Sequence, residues 1–163
     1  MAYPNDGEPK RLRILKDIRA RMQGVTVANG YRTDVRGAEI FDSQRIQLNG
    51  PFPFISVIPL SDDTPASGAS SCGVARDQLV DIVGAHQVTP QSAGWVDDAH
   101  WLLADIERAV FLDPQFSQEG GELLATTTTR TVSEVYDKGE QNLSLAHLQI
   151  RVSYRHKSDD PTN

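Results

Sequence analysis

The sequence has a single cysteine and no long apolar run. These two features argue against a disulfide-stabilised fold and against a membrane-spanning segment. Cys72 stands alone, which excludes an internal disulfide framework and is typical of a reducing compartment. The longest apolar runs, at residues 52–60 and 102–104, are far too short to cross a bilayer. The N-terminus has no apolar h-region, so we expect neither a signal peptide nor a membrane partner.

Motifs that carry enzymatic chemistry are also missing. The four histidines form neither HExxH nor a cysteine–histidine zinc pattern, and no glycine-rich phosphate loop or GxSxG elbow occurs. Cys72 lies in a serine–glycine context that matches no nucleophile motif. Asp97 and Asp98 precede His100, but the helix macrodipole already favours acidic residues in a first turn. We therefore expect no catalytic residue, no metal ion and no cofactor.

The net charge of −6 is unevenly distributed. Residues 10–21 contain six basic residues and one acidic residue, so the rest of the chain carries a net charge of −11. A nucleic-acid-binding domain normally has a dominant basic footprint, and this chain does not. We interpret the basic stretch as the solvated face of a helix or as a contact with a partner.

Two segments show helical periodicity. Residues 8–22 carry apolar side chains at three- and four-residue spacing beside a basic face, and Gly24 suits the C-terminal end. The same spacing runs from Val96 to Val110, and Pro114 ends this second helix. The second helix has the wider apolar stripe and is expected to anchor the core.

Five segments predict strands because they are apolar on both faces or alternate with period two. They are residues 31–41, 52–59, 74–88, 123–136 and 143–156. Gly84, in the third segment, permits a bend or bulge. Residues 137–140 predict a hairpin between the last two strands.

The predicted fold class is α+β, in the order helix–βββ–helix–ββ. Two helices pack against a mixed or antiparallel sheet. Residues 1–8 are expected to be a flexible N-terminal arm, residues 9–156 a single domain, and residues 157–163 a frayed tail.

The clearest predicted loop is residues 61–71, which has no apolar anchor and contains four serines. Loops of this length are usually functional or disordered, so we expect either an assembly contact or a disordered tether. Trp95 and Trp101 are six residues apart, which puts them on different sides of the helix. At least one of them is expected to lie in the core or in a subunit contact.

Three segments together resemble a known family. They are VTVANGYRTDV at residues 25–35, WLLADIERAVF at residues 101–111 and LQIRVSYRH at residues 148–156. Their order and spacing are similar to those of the tail terminator (tail completion) proteins of long-tailed bacteriophages. The resemblance covers most of residues 9–156.

This resemblance implies a homohexameric ring in the virion neck, assembled in the host cytoplasm. Such a ring caps the tail tube, stops its polymerisation and docks to the head connector, while DNA passes through its lumen without sequence-specific binding. The chain departs from the family by its long segments at residues 42–50 and 61–71. Another neck ring, a stopper or an adaptor, is therefore an alternative, and a small ligand-binding α+β domain is a further one.

Assembly contacts are expected on loops and edges. The candidates are Arg32, Asp62, Asp63, Thr64, Pro65, Ser67 and Ser70. Gly30 is expected to permit a tight turn, with Tyr31 covering the core and Arg32 available for an intersubunit ion pair. We further expect acidic side chains to line the lumen. The basic face of the first helix should lie away from the lumen or pair with an acidic neighbour.

Overall fold

The computed structural model describes residues 8–41, 51–64, 69–70, 73–88, 94–113, 115–116, 121–123, 129–138 and 141–156. Within these ranges the helices are α1 (Lys10–Gln23) and α2 (Trp95–Phe111), with a 3₁₀ turn at Val27–Asn29. The strands are β1 (Gly37–Ile40), β2 (Phe54–Asp63), β3 (Ala69–Ser70), β4 (Gly73–Val88), β5 (Gln115–Phe116), β6 (Gly121–Leu123), β7 (Thr129–Lys138) and β8 (Gln141–His156). Two helices and a mixed sheet make an α+β fold, which confirms the predicted class and its approximate element order.

The strands form one sheet in the order β1-β2-β4-β8-β6-β5, with β3 added to β4 and β7 added to β8. The β1–β2 pair is parallel, and the other pairs are antiparallel. Strands β4 and β8 have 16 residues each and pair from Val74↔His156 to Val88↔Asn142. One end of this central pair lies at Val74 and His156, and the other lies at Val88 and Asn142.

Both helices contribute to one hydrophobic core with the same face of the sheet. From α1, Ile14, Leu15, Ile18 and Met22 are buried, and from α2, Ala99, Leu102, Leu103, Ile106, Ala109 and Val110 are buried. The sheet supplies β-branched and aliphatic residues at alternate positions, including Val80, Ile82, Leu148, Ile150 and Val152. The 3.6-residue period of the helices and the two-residue period of the strands therefore each produce one apolar face, and these two faces pack together. No helix in the described ranges is long and apolar enough to span a membrane.

Gly84 has a packing role, and the strand pairing shows no bulge at this position. The β4 register continues through Gly84 against both neighbouring strands. A Cβ at this position would lie 2.7 Å from Leu102 Cδ2 and 2.9 Å from Ile106 Cδ1. Gly84 therefore leaves the space on β4 that the Leu102 and Ile106 side chains of α2 occupy.

Two strand boundaries differ from the prediction. The first strand is confined to Gly37–Ile40. The backbone N–H groups of the residues before it bond to the preceding loop, to Asp105 of α2 and, at Arg36, to the Pro53 carbonyl oxygen, so they form no strand ladder. Strand β2 continues to Asp63 after a register shift between Pro59 and Ser61, so residues 61–63 of the predicted loop are strand. Pairing with β4 satisfies the backbone hydrogen-bonding groups of these polar residues. Their polar side chains alone give no indication of this pairing.

The end of the chain contains one further difference. Leu123 belongs to the short strand β6, and the long strand β7 starts only at Thr129. Lys138 pairs with Gln141, which confirms the predicted hairpin between the last two strands. Its connecting residues 139–140 lie outside the described residues, as do residues 1–7 of the predicted arm at residues 1–8, the tail at 157–163, and residues 42–50. Glu8, the last residue of that arm, is described and forms an ion pair with Lys16.

Candidate assembly surface around Arg32 and Trp101

Residues 24–36, here named the α1–β1 loop, fold back on themselves after α1. The Gly30 backbone has φ +84°, a left-handed conformation that glycine adopts without Cβ strain, as the Asn29-Gly30 turn predicts. The Tyr31 N–H donates to the Thr26 carbonyl oxygen at 3.2 Å. Asp34 Oδ1 accepts the Val27 N–H at 2.7 Å. These local bonds give the loop a defined shape.

Helix α2 holds this loop through two side chains. Asp105 is only 5% exposed, and its Oδ2 accepts the backbone N–H groups of Arg32 at 3.1 Å and Thr33 at 2.8 Å. One turn further on, Arg108 Nη1 donates to the Gly30 carbonyl oxygen at 2.7 Å. The Arg108 guanidinium also lies 4.9 Å from the centre of the half-buried Tyr31 ring. The loop and the helix therefore form one unit.

This unit presents Arg32 stacked on Trp101. The Arg32 Cζ atom lies 3.6 Å from the centre of the Trp101 ring, a cation–π contact. Trp101 remains 44% exposed, so this tryptophan is not a core residue. A stacked guanidinium keeps its N–H donors in its own plane, where a partner's acceptors can reach them.

A cleft of about 610 Å³ opens beside this pair. It is lined by Val27, Arg32, Thr33, Asp34, Arg36, Phe52, Pro53, His86, Gly94, Asp97, Asp98 and Trp101. Its polar lining contains three carboxylates and two guanidinium groups. Among the described residues the exposed large hydrophobic side chains are Val27, Val96, Trp101 and Leu112, and two of these four line the cleft. An aromatic–arginine centre with a polar rim is the usual anatomy of a protein–protein interface.

Two candidate contact residues on the predicted loop lie far from this cleft. Asp63 and Thr64 are exposed at the end of β2, and the Ser61 hydroxyl donates to Asp63 Oδ2 at 2.9 Å. Asp62 pairs with Gln78 on β4, eight residues from His86. At about 3.3 Å per residue the two sites are about 26 Å apart.

Asp62 is engaged inside the molecule. The Tyr154 hydroxyl donates to both of its carboxylate oxygens, at 3.0 and 2.9 Å, and Arg11 Nη1 lies 3.9 Å away. Burial of Tyr154, together with its bond to the Asp62 carboxylate, raises the pKa of the tyrosine hydroxyl well above its usual value of 10.0. Ser70 lies in β3, and Pro65 and Ser67 lie outside the described residues.

A second charged surface lies where α1 begins, and we name it the basic end. It comprises Lys10, Arg11, Arg76 and Arg155. Lys10 Nζ donates to the Arg155 carbonyl oxygen at 2.9 Å, and the Arg11 side chain is 60% exposed. The β4–β8 register pairs Arg76 with Tyr154 and Ala75 with Arg155, so Arg76 and Arg155 reach this end of the molecule on opposite faces of the sheet.

Three further basic residues of α1 have local acidic partners. Lys16 forms an ion pair with Glu8, Arg19 lies 3.6 Å from Glu39, and Arg21 lies 3.0 Å from Asp17. The basic stretch seen in the sequence is thus partly neutralised along the helix. At the helix N-terminus, Arg11 likewise has a carboxylate beside it, that of Asp62 at 3.9 Å.

The sequence prediction identified Arg32 but missed its partners. No pattern links Arg32 with Trp101 or Asp105, which are about 70 residues away in the chain. Within the described ranges, no group of three or more histidine, cysteine or acidic side chains is placed to hold a metal ion. Comparison with models of known families and with curated proteins found no match for this chain.

Proposed function

We propose that this chain is a ring-forming tail terminator of a long-tailed bacteriophage. In this role it caps the tail tube, stops tube polymerisation and joins the tail to the head connector in the virion neck. The observation that carries the proposal is the architecture. Helix α1, strands β1, β2 and β4, helix α2 and strands β7 and β8 follow in the order that the resemblance implies, and both helices share one core.

The three segments that carry the resemblance also belong together in space. Trp101, Asp105 and Arg108 of the second segment hold the first one, residues 25–35, through the contacts described above. Leu148, Ile150 and Val152 of the third segment lie in the same core as α2. The three segments that resemble the family therefore pack into one structural unit. This packing supports the interpretation that the resemblance reflects a common fold.

The partners proposed on this basis are further copies of the chain in a homohexamer, the tail-tube protein and the head connector. Genomic DNA would cross the ring without sequence-specific binding, because an acidic chain offers few clustered cations for phosphate groups. Such a structural subunit needs no catalytic residue, metal ion or cofactor. Its function resides in exposed surfaces.

Native mass spectrometry and negative-stain microscopy of the purified chain, alone and with tail-tube protein, test the proposal. We expect six-fold rings, or monomers that become rings when tube protein is added. A monodisperse monomer that does not assemble when tube protein is added would contradict the proposal. Rings that leave the length of growing tubes unchanged would instead favour a neighbouring neck protein, a stopper or an adaptor.

The tube contact can be tested at Asp63 and Thr64. Deleting residues 62–70 would remove part of a paired strand, so substitution of exposed side chains is the cleaner change. Asp63→Ala with Thr64→Ala should weaken tube capping and leave the ring mass unchanged. Gln87→Ala, an exposed change at the opposite end of β4, is the matched control. If the double variant capped tubes as well as the wild type does, Asp63 and Thr64 would not form the contact with the tail tube.

A further inference from the structure

The α1–β1 loop contains a pair of residues that can react with each other. Asn29 and Gly30 are both exposed, and glycine has no side chain to hinder attack by its own amide nitrogen. The Gly30 nitrogen can attack the side-chain carbon Cγ of Asn29 and close a five-membered succinimide. The bond from Cγ to Nδ2 breaks, and ammonia leaves with the proton that the Gly30 nitrogen gives up. Water then opens the ring to an aspartyl or an isoaspartyl residue.

The folded loop engages both reacting groups in hydrogen bonds. Asn29 ends the 3₁₀ turn, and the Gly30 N–H donates to the Val27 carbonyl oxygen at 3.0 Å. Asn29 Nδ2 donates to the carbonyl oxygen of Gly24, the C-terminal cap of α1, at 2.8 Å. The attacking nitrogen therefore keeps its proton, and the leaving amide is held toward α1. The reaction requires both bonds to break.

Helix α2 controls whether they break. Arg108 Nη1 donates to the Gly30 carbonyl oxygen at 2.7 Å, and Nη2 of the same side chain lies 3.9 Å from the position that a Gly30 Cβ would take. Asp105 Oδ2 accepts the backbone N–H groups of Arg32 and Thr33, the second and third residues after Gly30. Gly30 gains freedom only when the loop gives up these contacts, so the reaction should follow local opening of the loop from α2.

We propose that Asn29-Gly30 is a deamidation site that stays unreactive while the α1–β1 loop is bound to α2 and reacts when the loop opens. The aspartate product has no N–H to donate, so the Gly24 carbonyl oxygen loses its partner. The isoaspartate product also lengthens the main chain by one atom, which alters the spacing of the turn. Either product opposes closure, so the reaction is a one-way record of loop opening. The inference does not depend on ring formation.

Peptide-mapping mass spectrometry after incubation at mildly alkaline pH tests the proposal. The measured quantity is the conversion of the Asn29 side-chain amide to a carboxyl group, in the folded chain and in the chain unfolded by guanidinium chloride. Asn29 should convert about tenfold more slowly, or slower still, in the folded chain. Asn49-Gly50 is the other Asn-Gly pair of the sequence, and trypsin separates it from Asn29 by cleavage after Arg32 and Arg36.

Variants of α2 test the control by loop opening. Arg108→Ala should accelerate conversion of Asn29 in the folded chain by about threefold or more and leave its rate in guanidinium chloride unchanged. Asp105→Asn, which weakens the acceptor without changing its size, should act in the same direction. Arg155→Ala is the matched control, because this exposed arginine is bonded to Lys10 through its backbone oxygen. Thermal unfolding checks that each variant is folded at the incubation temperature.

Three results would overturn the proposal. Conversion of Asn29 as fast in the folded chain as in guanidinium chloride would show that the loop gives no protection. Wild-type rates in both folded α2 variants would show that opening from α2 does not control the reaction. An Asn29 that stays unmodified even in the unfolded chain would not be a deamidation site.

Discussion

At the scale of single residues, two backbone amides converge on one carboxylate oxygen of Asp105. This buried acidic group sets the path of the α1–β1 loop across α2 and so places Arg32 over Trp101. The loop residues have the composition of a strand, with Tyr31, Thr33 and Val35 at alternating positions. A charge-assisted bond to a side chain outweighs that propensity here, because β propensity depends strongly on context.

Asp105→Ala should destabilise the fold by about 1.5–3 kcal/mol, since two amides lose a charged acceptor. Chemical denaturation followed by circular dichroism measures the change. Asp97→Asn, an exposed change on the same helix, is the control and should cost at most about 1 kcal/mol, because it removes one carboxylate from the first turn of α2. Equal stability of the Asp105→Ala variant would show that the loop does not depend on this bond.

Tyr154 should make the fold sensitive to alkali. Its pKa is raised in the folded state by burial and by the Asp62 carboxylate, so above about pH 10 the unfolded chain binds fewer protons than the folded one. Stability is therefore fully present below that pH and is lost as the pH rises, by up to about 1.4 kcal/mol per pH unit.

Tyr154→Phe removes this titration. The difference in unfolding free energy between the wild type and Tyr154→Phe should be constant up to about pH 9 and should shrink above pH 10. Urea denaturation at a series of pH values gives both curves. Asp62→Asn, which removes the acceptor charge, should show a weaker loss than the wild type. Parallel curves for wild type and Tyr154→Phe up to pH 11 would contradict the assignment.

At the scale of elements, the contact between α2 and the central strand β4 depends on Gly84. Leu102 and Ile106 are both fully buried and occupy the space where a Cβ would be. Protein interiors are close-packed, so a methyl group added at this position must displace these side chains or the helix that carries them.

Gly84→Ala should cost about 1–3 kcal/mol through overpacking. Gly94→Ala is a matched control, because a Cβ there meets no atom within 4 Å and the backbone φ is −99°. Gly94 is the N-cap of α2, where alanine is less favourable than glycine, so this control should lose only about 0.5–1 kcal/mol. Differential scanning calorimetry compares the melting temperatures of the Gly84→Ala and Gly94→Ala variants. Equal melting temperatures would mean that the packing of α2 on β4 tolerates the added methyl group.

The elements show where prediction from sequence succeeds. Both helices were placed to within two residues at their N-termini, since a continuous apolar stripe depends only on local spacing. Strand β4 was placed equally well. Ser61–Asp63 were predicted as loop because their side chains are polar, yet their backbone pairs with β4. Strand ends are decided by the neighbouring strand, which the local sequence does not contain.

At the scale of the whole molecule, the charged groups around the cleft (Arg32, Arg36, Asp97 and Asp98) should make assembly of the proposed ring depend on salt. Ion pairs at an interface are screened as the Debye length falls from about 10 Å at 0.1 M salt to about 3 Å at 1 M. We expect rings to dissociate at high salt and to re-form on dilution. Mass photometry across a salt series measures this, and a ring mass unaffected at 1 M would favour an apolar interface.

Periodicity and composition were sufficient for the α+β class, the two helices, the central strands and the absence of recognisable catalytic motifs, because each of these follows from local residue patterns. The pairing of Arg32 with Trp101, the anchoring role of Asp105, the close approach at Gly84 and the engagement of Asp62 by Tyr154 arise only in the folded chain. Each joins residues that are between 18 and 92 positions apart. Such contacts depend on how α2 and β8 are placed against the sheet, and that placement is set by the packing of the whole core.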